Sequence, residues 1–201
     1  LELSLEKQTG NYMIFFPSYE MLSAVYEIAR DSNLALVSEL VVQEPFMEEK
    51  SREDFLEKFR RKAGKPLIGF CVLGSIFSEG IDLTGESLIG VVIVGTGLPQ
   101  ICNEREVIRE YFDRRQKKGY DYAYRYPGMN KVLQAAGRVI RTAQDTGTIL
   151  LMDERFLERD NQSLLPEEWE SYYAVNRNNC GQVLENFWNG LDNDKVAEAE
   201  S

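Results

Sequence analysis

The chain has 201 residues, 43% hydrophobic and 28% charged, with 33 acidic against 23 basic side chains and a formal net charge of −10. Such a composition is globular and long enough for a sizeable core, and the acidic excess argues against a broad nucleic-acid coat while leaving room for a narrow basic groove. The absence of histidine and the wide spacing of three cysteines exclude Ser-His and Cys-His nucleophiles, most transition-metal sites and a disulfide framework.

In chain order, no secretory signal is legible at the start, and the first residue is leucine, so a segment of a longer, cytoplasmic polypeptide is expected. "YMIFF" (12–16) reads as a buried strand. "SYEMLSAVYEIARD" follows as a helix with Ser18 as N-cap and Leu22, Val25, Tyr26 and Ala29 on its inner stripe. "LALVSELVVQ" (34–43) is a second strand. "SREDFLEKFRRKAG" is a helix opened by a Ser-x-x-Asp capping signal at Ser51 and stopped at Gly64. "LIGFCVLG" (67–74) and "IGVVIVG" (89–95) are strands three and four; even the longest apolar run, "LIGVVIVGTGLP", is too short and glycine-broken to span a membrane. "NEREVIREYFDRRQKK" is a helix, and its "RRQKK" end, like "RRK" at 60–62, places cations where the helix dipole favours them. Tyr120, Tyr122, Tyr124 and Tyr126 alternate in a segment expected to cover the sheet as a loop, with stacking on unpaired bases as the alternative. A helix over 129–142 and the strand "TILLMD" (148–153) complete the alternation.

Two closing helices, "LPEEWESYYAVN" and "CGQVLENFWNG", are expected to pack through Trp169, Tyr173, Leu184 and Phe187. Strands alternating with helices predict an α/β fold, a doubly wound parallel sheet with helices on both faces. One domain is expected over 1–190, with 191–201 as an acidic, frayed tail.

Two segments carry chemistry. On a helix over 129–142, Gln134, Arg138 and Arg141 fall at i, i+4 and i+7, within about 60° of one another. Gly137 lies beside them, where a missing side chain would admit another backbone. An ordinary solvated face would mix Lys with Glu. Side-by-side guanidiniums instead want an anion between them, and their planar forks match phosphate oxygens. The second segment, "GSIFSEGIDLTGESL" (74–88), leaves the carboxyl end of the third strand, where open α/β sheets place ligands. Glu79 or Asp82 beside Gly80 suits a ribose hydroxyl, and backbone N–H groups with Ser75 or Ser78, flanking Phe77, suit a phosphate. A plain polar turn is the competing reading of that loop.

Taken together, "GSIFSEGIDLTG", "VVIVGTGLP" and "QAAGRVIR" followed by "ILLMDERF" resemble motifs V and VI of superfamily 2 helicases, most closely the DinG/XPD-like branch. "MIFFPSYEML" resembles that branch's motif IV, and the likeness runs over roughly residues 10–160. The resemblance implies a RecA-like second motor lobe, three-layered, of an ATP-dependent, 5′–3′ DNA helicase. It implies Arg138 and Arg141 as arginine fingers, Gln134, Glu79, Gly80 and Asp82 at the nucleotide, and Ser18, Tyr19, Ser75 and Phe77 on single-stranded DNA. No G-x-x-x-x-G-K-[ST] loop and no DEAH-like carboxylates occur in the chain. ATP and Mg2+ are therefore expected to be held through a first lobe of the same polypeptide, with no iron–sulfur cluster and no metal site in this segment. The same fold serving as a non-catalytic binding module is the alternative; a Rossmann-type enzyme is disfavoured because no G-x-G-x-x-G loop occurs.

Overall fold

Continuous apolar runs need cover on both faces, and a parallel sheet supplies it. A computed structural model of the chain describes Ser4 and residues 8–61, 64–78, 87–140 and 145–199, the last eight as backbone alone. Its strands are β1 (Tyr12–Phe16), β2 (Glu39–Val42), β3 (Leu67–Val72), β4 (Gly90–Val94) and β5 (Thr148–Met152). They form one five-stranded sheet in the order β2-β3-β1-β4-β5, every pairing parallel, with Ile14 level with Phe70 on one side and Val92 on the other. The helices are α1 (Tyr19–Arg30), α2 (Leu34–Val37), α3 (Glu49–Arg60), α4 (Asn103–Gln116), α5 (Tyr126–Ala136), α6 (Arg159–Gln162) and α7 (Cys180–Ala199).

Two neighbouring residues of β3 show how the sheet is covered. Phe70 meets Tyr26 of α1 edge-on, with ring centroids 5.3 Å apart. Gly69 points the other way, and a Cβ there would meet Phe59 of α3 at 2.7 Å and Phe55 at 3.2 Å. Successive strand residues face opposite sides, so α1 and α3 lie on opposite faces. Right-handed crossovers require this: β1 to β2 and β2 to β3 travel in opposite directions across the sheet. The three-layer, RecA-like α/β fold expected from the sequence is the one observed.

Departures from expectation have local causes. Residues 34–37 form the helical turn α2 rather than the start of a strand. The Leu34 N–H donates to Ser32 Oγ at 3.2 Å and Ser38 Oγ donates to the Leu34 carbonyl at 2.6 Å, so two serine hydroxyls satisfy a turn that leaves Leu36 and Val37 exposed. Helix α3 starts at Glu49, ahead of Ser51, and ends at Arg60. On α1, Val25 faces outward, leaving Leu22 and Ala29 as the buried positions. The alternating tyrosines lie on no loop: a one-turn π-helix, Asp121–Arg125, runs straight into α5. Their partners are therefore at i+4, Tyr120 with Tyr124 and Tyr122 with Tyr126, and Tyr122 stacks on Phe112 of α4 at 3.9 Å. They pack helix against helix.

The contacts divide the chain into Asn11–Leu165, which holds the sheet, and a second unit of residues 1–10 with 166–201. Of "LPEEWESYYAVN", where a helix was expected, only Glu167–Trp169 coil, as a 3-10 turn. Helix α7 continues through residues 191–199, which the sequence marked as a frayed tail. Phe187 and Trp188 meet edge-to-face at 4.9 Å, with Trp188 buried, whereas Tyr173 is exposed. Among the described residues, no helix is long and apolar enough to cross a membrane.

Gly90 begins β4 directly beneath a buried tyrosine: a Cβ there would lie 2.5 Å from Tyr12 Cε1 and 3.0 Å from Thr148 Oγ1. Burial of that ring also pushes the Tyr12 phenol up to about 12. Overpacking of this kind costs about 1–3 kcal/mol, so Gly90→Ala should lower the thermal midpoint by several degrees in a calorimetric comparison with wild type. An unchanged midpoint would mean that the Tyr12 ring moves aside freely.

Candidate functional site

Because every strand runs the same way, the segments after β1, β2, β3 and β4 all leave one edge of the sheet. After β1, the side chain of Ser18 caps α1 by accepting from the Met21 N–H at 3.2 Å, as its sequence position predicted, and Tyr19 opens the helix. After β3, Gly74 takes a left-handed φ of +76°, which other residues adopt at a cost. The chain then turns tightly: the Ser75 N–H donates to the Val72 carbonyl at 3.2 Å, and both the N–H and the hydroxyl of Ser78 donate to the Ser75 carbonyl, at 3.0 and 2.8 Å. Phe77 was expected on the nucleic-acid side. It is instead buried, its ring 4.3 Å from that of Phe55, and serves the core.

After β2 stands a residue the sequence reading passed over. Gln43 is buried, and its side-chain amide joins three segments. Its Oε1 accepts from the Val72 N–H at 2.9 Å and from the Ser75 hydroxyl at 2.9 Å, while its Nε2 donates to the Tyr19 hydroxyl at 2.8 Å. The one sequence signal was a polar residue closing an apolar strand. The single Ser75 proton is thereby spent inside the protein and is withdrawn from the strand contact expected of it.

The arginine segment differs from a continuous helix. Helix α5 opens with Pro127 in its first turn and ends at Ala136; the N–H groups of Arg138 and Val139 bond three residues back, to Ala135 and Ala136, as a tightened last turn. Gln134 is exposed on the last turn of α5, and Arg138 lies beyond it. Arg138 Nε donates to the Ser78 carbonyl at 3.1 Å, which ties this segment to the loop after β3. The side chain of Lys131 lies over Gly74, where a Cβ would meet its Cδ at 2.8 Å, so the two segments singled out from the sequence are brought together. Gly137 meets nothing but its own helix; the close approach belongs to Gly128 instead, where a Cβ would fall 2.6 Å from the Thr96 carbonyl, and to Gly97 opposite, 2.6 Å from the Gly128 carbonyl. Arg141, Glu79, Gly80 and Asp82 lie outside the described residues.

At the end of β5, Asp153 caps a 3-10 turn through the Arg155 N–H at 2.9 Å and holds the Arg155 guanidinium by two bonds, 2.8 Å from Nε and 2.6 Å from Nη2. The hydrogen bond from Arg155 holds the Asp153 carboxyl below its ordinary value of 3.8. Among the described residues, no three metal-binding side chains cluster.

The chain is similar to known helicases. The pattern of the helicase C-terminal domain family matches residues 1–172. Human regulator of telomere elongation helicase 1 is 30% identical over 206 residues, 90% of this chain and 17% of that protein. A probable ATP-dependent helicase of Methanocaldococcus jannaschii is 28% identical over 166 residues, covering 77% of this chain and 25% of its own length. The chain thus spans a quarter or less of these relatives. A solved XPD helicase superposes with a TM-score of 0.62 at 22% identity, over 81% of this chain and 28% of its own. The C-terminal domain of the DEAD-box protein Dbp5 gives 0.51 at 15%, over 92% of this chain and 87% of its own.

The Asp153–Arg155 pair makes a pH prediction. A carboxyl whose pKa is depressed by folding contributes stability above its ordinary pKa and loses it as pH falls through the lower, folded value. Asp153→Asn should cost about 1 kcal/mol at neutral pH, because both oxygens serve Arg155. The gap from wild type should close as urea unfolding is repeated below pH 4, whereas a gap constant with pH would remove the charge from the account.

Proposed function

Because this chain belongs to the helicase C-terminal domain family, we propose that it is the second motor lobe of an ATP-dependent DNA helicase of the DinG/XPD-like branch, moving 5′–3′ on a single strand. The observation that carries this reading is the bond from Arg138 Nε to the Ser78 carbonyl, which couples the phosphate-seeking segment to the loop at the strand-binding edge. A nucleotide-driven movement of one is then felt by the other. Strand phosphates meet Ser18, Tyr19 and the backbone of the loop after β3. Glu79, Gly80 and Asp82 link that loop to the nucleotide.

The first lobe of the same polypeptide supplies the phosphate loop and the Mg2+ carboxylates, and this chain alone does not turn ATP over. The Arg138 guanidinium and the Gln134 amide NH2 offer donors that suit phosphate oxygens. ATP supplies the phosphoryl group; this chain's part is to hold it. Arg141 and Arg138 donate to the γ-phosphoryl oxygens, where charge shifts as the bond to the leaving group breaks, so they favour the transition state over the ground state. A cytoplasmic setting fits three widely spaced cysteines that offer no disulfide framework. A second reading, a binding module without ATP chemistry, draws on the same bond, since an arginine tied to a backbone carbonyl also serves structure alone.

Arg141→Ala in the full-length protein separates the two. Arginine fingers of GTPases are worth about 10³–10⁵ in turnover, so kcat should collapse while nucleotide affinity changes little. Arg141→Lys should rescue poorly, for want of the planar fork. Steady-state ATPase at saturating single-stranded DNA decides: activity within about twofold of wild type for both variants would support the non-catalytic module and overturn the finger.

A further inference from the structure

The hydrogen bonds around Gln43 have a direction. The Val72 N–H can only donate, so the amide oxygen must face it, and Nε2 must face Tyr19. The Ser75 hydroxyl, bonded to that same oxygen, must give up its proton to it. The Tyr19 oxygen, bonded to an NH2 group, must accept. Its own proton is left uncommitted, on a half-buried side chain at the edge where the loops after β1, β2 and β3 emerge. We propose that the buried Gln43 amide is a positioning residue that fixes this polarity, so that Tyr19 is the hydroxyl that donates to a phosphate of a bound single strand.

The inference rests on the strand-binding reading above and adds to it a choice between hydroxyls that exposure would not make. Both lie at the same edge, and only the orientation of one amide distinguishes them. Gln43 is buried, is bonded through its own N–H to the Phe70 carbonyl at 2.8 Å, and is thereby held in line with the strand. The amide cannot turn over without setting NH2 against the Val72 N–H.

Fluorescence anisotropy of labelled oligothymidylate with this chain tests it. Tyr19→Phe keeps the ring and should weaken binding about tenfold, the range for a hydrogen bond to a charged group. The slope of affinity against salt should not change, because a neutral donor releases no counterion. Ser75→Ala should stay within about twofold of wild type. Gln43→Glu retains the acceptor for Val72 and Ser75 but turns the donor into a second acceptor, so Tyr19 must give its proton inward and binding should fall as in Tyr19→Phe. In the Tyr19→Phe background the Gln43→Glu change should then add almost nothing. Losses that simply multiply would mean charge repulsion, and overturn the polarity mechanism. So would a Tyr19→Phe affinity within twofold of wild type, or a Ser75→Ala loss as large as that of Tyr19→Phe. Absence of binding by wild type would instead overturn the strand-binding reading itself, and this inference with it.

Discussion

Gln43 closes an edge strand, yet the position of two other loops depends on its side chain. A buried backbone N–H left without a partner costs about 1–3 kcal/mol, and the half-buried Val72 N–H would approach that state without the amide oxygen. The amide therefore stands where a further strand residue would have continued the ladder. It extends the register of β2 and β3 by one hydrogen bond, and anchors the turn at Ser75 and the start of α1 as it does so. An edge built from loops gains the geometry of a sheet.

The arginine segment is positioned by different means. Gly128 and Gly97 let the first turn of α5 rest on the loop after β4 with no side chain between, and the bond from Arg138 to Ser78 fixes the other end. Stopping the helix at Ala136 matters here, because the tightened turn carries Arg138 away from a simple helical stripe with Gln134. A regular helix drawn through 129–142 would misplace Arg138.

Much of this was legible in the sequence, for physical reasons that also mark where legibility stopped. Runs such as "YMIFF" and "GVVIV" have no polar residue to spend on solvent, so a buried parallel strand is the one element they fit, and all five strands stand where the runs do. The serine cap at Ser18 is a local signal and was read. The serines around Leu34 act locally too, but an apolar tetrapeptide reads alike as strand or turn. Tyrosines two apart were expected on a loop over the sheet, and the π-helix pairs them four apart instead. Gln43 was illegible because its partners are 24, 29 and 32 residues away. Gly137 and Gly128 look equivalent in sequence; only the fold reveals which one faces a backbone.

The contact between Gly97 and Gly128 also sets how the molecule transmits force. Side chains between two elements act as a compliant layer, since rotamers shift to absorb small displacements. Here carbonyl and Cα stand against one another, so no such layer exists, and close-packed interiors pass strain on. A push delivered to α5 reaches the loop after β4 undamped. The junction is stiff, and a displacement between the two elements must be taken up elsewhere.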